Sequence, residues 1–109
     1  MQMRRKNLQY YNVVITDYAD ERIQDKLEYI GREFRNEQAY SHLKNEILKV
    51  EIALSENARH NRVHYDDNGE EYRYAFVNVG EGYYLLYQID NDTVYVLDCL
   101  HTRELKEIV

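Results

Sequence analysis

His101 and Arg103 stand two residues apart at the end of a long apolar run, Tyr83 to Arg103, reading YYLLYQIDNDTVYVLDCLHTR. They are polar groups where a strand would run out of sheet, and an imidazole titrates near neutral pH, which suits acid or base work. The bland alternative is a histidine that merely terminates a strand and an arginine paired with Glu104 or Asp98. Other constellations carry less. His60 and His64 lie four apart, a metal pair if they share a helix, but no third ligand follows at a convincing spacing and Asn61 beside a turn cluster argues for a loop. The run from Asp66 to Glu71, DDNGEE, departs from the twelve-residue calcium pattern and reads as a solvated turn. Cys99 has no base beside it in sequence and reads as a packed residue. Neither a metal nor a cofactor is expected.

These groups belong to a chain of 109 residues, the size of one domain with one core, and domain organisation is expected to be a single unit over 1–109. Residues 1–9, with Arg4, Arg5 and Lys6, read as a flexible basic end. No apolar h-region follows them and no window approaches membrane-spanning length, so no membrane partner is expected. The single cysteine points to a reducing, cytoplasmic setting. The formal net charge is −6, and residues 59–109 alone hold ten acidic side chains against five Lys/Arg. That balance repels a phosphate backbone at long range. Twelve tyrosines with no tryptophan and no proline suit half-buried strand faces, where an apolar ring carries a hydroxyl to water.

The elements that must position the site follow from periodicity. Tyr10 to Thr16 alternates as a strand, with Tyr11, Val13 and Ile15 on one face. Thr16 and Asp17 are good N-cap types, and Ile23, Leu27, Ile30 and Phe34 then recur at four, three and four, predicting a helix over Tyr18–Phe34. Asn36 caps a second helix whose stripe is Tyr40, Leu43, Ile47, Val50 and Leu54, widened by Leu48 and Ile52. So short a link makes the two helices an antiparallel hairpin. Ser55 to Glu71 has no periodicity. Tyr72 to Val79 alternates as a strand, with Tyr72, Tyr74 and Phe76 on one face and Arg73, Ala75 and Val77 on the other. Gly80-Glu81-Gly82 turns into the final hairpin, whose own turn is Asp90-Asn91-Asp92. Glu104 to Val109 could add a short helical or extended tail. The order is β-α-α-β-β-β, an α+β domain with the helical hairpin on one face of an antiparallel-rich sheet.

Several local patterns resemble the RelE/ParE superfamily of bacterial type II toxins, over about residues 10 to 105. They are YNVVIT followed by Ala19; Leu27, Tyr29 and Ile30; Asn36, Glu37 and Ala39; GYYLLYQID from Gly82 to Asp90; and VYVL then LHTR, ending at Arg103. Where the family's pattern carries arginine this chain has Gln88 and Asp98, and Asp17 stands where proline often follows the first strand.

The resemblance implies the toxin of a toxin–antitoxin system, a cognate antitoxin as partner, a role in plasmid stabilization, and a homodimer or toxin–antitoxin hetero-oligomer. The RelE-like branch implies ribosome-dependent mRNA cleavage, metal-independent because the 2′-hydroxyl attacks internally. On that reading Arg73 and Arg103 clamp phosphate, His101 is the acid or base, and Tyr84 or Tyr87 stacks or moves a proton. The ParE-like branch implies a non-enzymatic inhibitor of DNA gyrase. Gln88 and Asp98 motivate a third reading, a toxin-like protein-binding scaffold without toxicity.

Overall fold

The computed structural model describes residues 10–33 and 35–108. The expectations for Arg4, Arg5, Lys6 and Phe34 fall outside the described residues. The order of elements is β1 (Asn12–Ile15), α1 (Asp17–Glu33), α2 (Glu37–Asn57), a 3-10 turn (Ala58–His60), β2 (Val63–Tyr65), β3 (Glu71–Val77), β4 (Tyr83–Asp90), β5 (Thr93–His101) and α3 (Thr102–Ile108). Among the described residues this is an α+β architecture of three helices and one five-stranded sheet, ordered β1-β5-β4-β3-β2.

The sheet is mixed. β1 runs parallel to β5, with Asn12 opposite Thr93 and Ile15 opposite Val96, and the remaining pairs are antiparallel. A parallel pair needs a long crossover, and everything between β1 and β5 supplies it. The Ser55–Glu71 stretch, which lacks periodicity, is not all loop. Its start completes α2, and Val63–Tyr65 forms an edge strand on β3. Three residues are too few to show alternation, which is why the pattern hid them. Asp66 closes the β2–β3 turn as expected of a turn cluster: its Oδ1 accepts the backbone N–H groups of Asn68 (2.8 Å) and Glu70 (2.9 Å).

Both helix starts are held by local side chains. The Thr16 hydroxyl accepts from the Ala19 N–H at 3.2 Å and donates to the Val96 carbonyl at 2.9 Å, so one group caps α1 and ties it to β5. Asn36 Oδ1 accepts from the N–H groups of Gln38 and Ala39, each at 3.0 Å. The helical hairpin buries Ile23, Leu27 and Ile30 from α1 and Leu43, Ile47 and Leu54 from α2 against Ala75, Val77, Leu85, Val94 and Val96. Leu48 and Ile52, which widen the α2 stripe in sequence, are exposed at 47% and 61% and stay outside the buried core. The tail after His101 is helical.

Candidate functional site

β5 contains an irregularity that decides where His101 lies. Leu86 pairs with Asp98 but Tyr87 pairs with Val96, so Leu97 is an extra residue, a β-bulge. A side chain switches face when the register slips by one. Without the bulge, His101 would share a face with Leu97 and Tyr95. With it, Val94 and Val96 share the helix-covered face with Cys99 and His101, opposite Ile89, Tyr87, Leu85 and Tyr83 in turn.

His101 thereby comes to a cleft of about 610 Å³ between α1, the start of α2, the β3–β4 turn and the ends of β4 and β5. Tyr29, Ile30, Ala39, Val79 and Tyr83 contribute its apolar wall; Asp25, Lys26, Glu81 and Arg103 are its charged groups. The His101 ring meets Tyr83 edge-on, with centroids 5.1 Å apart. Its Nδ1 accepts the backbone N–H of Arg103 at 3.1 Å, which leaves the proton of the neutral imidazole on Nε2. That nitrogen lies 3.5 Å from Glu81 Oε1, and Arg103 Nη2 lies 3.6 Å from the same oxygen. One carboxylate thus stands before both His101 and Arg103. Gly82 makes the approach of this turn possible: its φ is +106°, and a Cβ there would sit 2.5 Å from the Phe76 ring and 3.1 Å from Thr102 Oγ1.

Behind the cleft lies an ion network. Arg22 Nε donates to Asp98 Oδ1 at 2.8 Å and its Nη2 to Glu104 Oε2 at 2.7 Å, while Lys26 Nζ donates to Glu104 Oε1 at 2.7 Å. The His101 backbone N–H also donates to Glu104 Oε1 at 2.8 Å. Burial works against the charged form of Glu104, yet the His101 N–H, Lys26 and Arg22 together outweigh it and hold the carboxyl down at about 2. The bland pairing expected for Arg103, with Asp98 or Glu104, is therefore corrected. Both carboxylates belong to Arg22, and Arg103 faces Glu81.

The five expected site residues do not gather in one place. Tyr83, beside His101, is four residues along β4 from Tyr87, about 13 Å at the usual rise of a strand. Tyr87 is fully buried; its hydroxyl donates to the Ala58 carbonyl at 2.7 Å and accepts from Asn61 Nδ2 at 3.1 Å. Burial raises its pKa above the ordinary tyrosine value. Arg73, its register partner on β3, directs Nη1 at the carbonyls of Arg59 (2.8 Å) and Asn61 (2.9 Å). Arg73 and Tyr87 together pin the turn after α2. Tyr84 lies on the opposite face of the sheet, where its ring meets Phe76 and Tyr74. His101 and Arg103 come together at the cleft, and Arg73 and Tyr87 come together beside the turn after α2.

The sequence offered no role for Arg22 or Lys26, gave Glu81 only as a turn residue and gave Glu104 only as a partner for Arg103. Glu81 sits between Gly80 and Gly82 in a turn whose direction nothing in the spacing reveals. The partners of Arg22 and Lys26 are more than 75 residues away. Glu104 alone left a local trace, an acid in the first turn of a helix, where the dipole favours it. His60 and His64 are separated into a 3-10 turn and an edge strand, and no group of metal-ligating side chains is found among the described residues. No helix among the described residues is long and apolar enough to cross a membrane.

No curated protein matches this sequence. The family described as "ParE toxin of type II toxin-antitoxin system, parDE" matches residues 13–106, from β1 through α3. That span takes in the sheet from Val13 on, the helical hairpin and the cleft, and with it the fold and segment order that the resemblance implied. The chain therefore belongs to the ParE toxin family of type II toxin–antitoxin systems, whose partner is an antitoxin.

Proposed function

We propose that this toxin stops growth by binding a protein target, DNA gyrase, without cleaving RNA. The observation that carries this reading is the division of the expected cleavage residues. Tyr87 and Arg73 are engaged inside the fold, Tyr84 is on the other face, and His101 and Arg103 share their cleft with Glu81. Cleavage by the 2′-hydroxyl needs cations around the phosphate, an acid and a base within reach of one bond. Here the carboxylates Asp25 and Glu81 flank His101 and Arg103, the two of these residues that reach the cleft, in a chain of net charge −6. An apolar-walled cleft with a mixed charged rim suits a protein side chain better than a nucleotide.

Induction of the protein alone in a bacterial host tests this. Gyrase-linked DNA breaks with intact mRNA are expected, and His101→Ala should remain as toxic as the parent. Cut mRNA together with restored growth in His101→Ala would overturn the reading in favour of the ribonuclease. That second mechanism draws on one observation, the meeting of His101 and Arg103 at an open cleft. Normal growth on induction would instead favour a scaffold without toxicity.

A further inference from the structure

The sheet face that the helical hairpin leaves uncovered is aromatic. His64, Tyr72, Tyr74, Tyr84 and Phe76 form a continuous run of ring contacts across β2, β3 and β4. The centroid separations are 5.4, 5.5, 6.1 and 5.3 Å in that order. Leu86 lies opposite Tyr74 in register and continues the surface, and Phe76 is 49% exposed. An antiparallel sheet with one solvated face ordinarily alternates apolar with polar. Here the outward positions of β3 are Tyr72, Tyr74 and Phe76, where polar side chains would be expected.

Charge says what could cover it. The one lysine or arginine in the five strands is Arg73, and its guanidinium is bound to carbonyls on the helix side. Both hairpin turns at one end of the sheet are acidic and exposed: Asp66, Asp67 and Glu70 between β2 and β3, Asp90 and Asp92 between β4 and β5. Ring faces attract cations through their quadrupole, most strongly where water is excluded. The fold already uses this contact once, with the Arg59 guanidinium 5.9 Å above the Tyr11 ring. A second copy would bring two acidic rims together in a chain of net charge −6, and a nucleic acid would meet carboxylates with no free cation in the strands.

We propose that this face is a docking surface for a basic polypeptide segment of another protein, its arginines or lysines stacking on Tyr72, Tyr74 and Tyr84 beside the acidic turns while its apolar residues cover Phe76 and Leu86. The inference does not depend on the gyrase reading, because it concerns the face opposite the cleft.

The chain has no tryptophan, so a tryptophan-bearing peptide of alternating arginine and leucine reports binding to the full-length protein by its own fluorescence. The same peptide with glutamate for arginine, and a single-stranded RNA dodecamer, are the competitors. The arginine peptide should bind at least tenfold more tightly than either competitor. Backbone amide shifts in the unaltered protein should move on β2, β3 and β4 rather than on the acidic helix surfaces. The double substitution Tyr74→Ser/Tyr84→Ser should weaken binding about tenfold, while Tyr18→Ser, exposed on α1, should not. Shifts spread over the helices, equal binding of the glutamate peptide, preference for the RNA, or a concentration-dependent dimer that protects the same amides would each overturn the proposal. The shift map needs no substitution, so a variant that fails to fold leaves the test intact.

Discussion

Tyr87 shows how one hydroxyl can hold a turn in place. It is fully buried, and its oxygen is the meeting point of the Ala58 carbonyl and the Asn61 amide. Tyr87→Phe keeps the ring and removes the oxygen, leaving a buried acceptor and a donor short of a partner. That costs about 1–3 kcal/mol, the usual penalty for unsatisfied buried groups. A lowered urea midpoint at unchanged m-value checks it, with toxicity per folded molecule unaltered. An unchanged midpoint would mean that the turn finds another partner. From sequence this tyrosine is hard to tell from Tyr84, since both sit in one apolar run beside a leucine. Only the parity of the strand separates them. Tyr87 faces the helices and Tyr84 faces away.

At the scale of elements, α3 is fastened to α1 through Glu104, and the fastening is titratable. The Glu104 carboxyl is held at about 2, well below its ordinary 4.5. A group with a depressed folded pKa contributes stability that is fully present above its unfolded value and is lost as pH falls through its folded value. The contribution of Glu104 is therefore complete above about pH 4.5 and fades between there and about pH 2. Glu104→Gln should lower the urea midpoint at pH 7 by the equivalent of about 1–2 kcal/mol, discounted because the carboxylate is partly open to solvent. Near pH 2 the variant and the parent should converge. A difference that persists at pH 2 would assign the loss to packing. The two helices and the final hairpin were legible in the sequence because periods of 3.6 and 2 repeat over many residues, and Asn36 is a cap in fact as in type. The Leu97 bulge and the strand at Val63–Tyr65 were not, since one extra residue or three paired ones leave no period.

Across the whole molecule, one cluster of buried side chains joins α1, α2 and all the central strands. β1 and β5, the two ends of the fold in sequence, are adjacent in the sheet, so neither the helical hairpin nor the meander closes a core alone. Far-ultraviolet circular dichroism, dominated by the helices, and tyrosine fluorescence, dominated by the sheet, should therefore report one coincident urea transition. Two separated midpoints would show that the halves are independent. The sequence by itself determined the α+β class, the order of the long elements and the toxin-family resemblance, because these rest on local periodicity and on the order of motifs. The tertiary structure alone decided which of the expected site residues could act together. His101 and Arg103 reach one cleft with Glu81 because a bulge turns β5 and a glycine lets the β3–β4 turn close in, whereas Arg73 and Tyr87 are drawn into the fold by carbonyls 12 to 29 residues away. Proximity of that kind depends on the register of strands distant in sequence, and single-chain spacing carries no record of it.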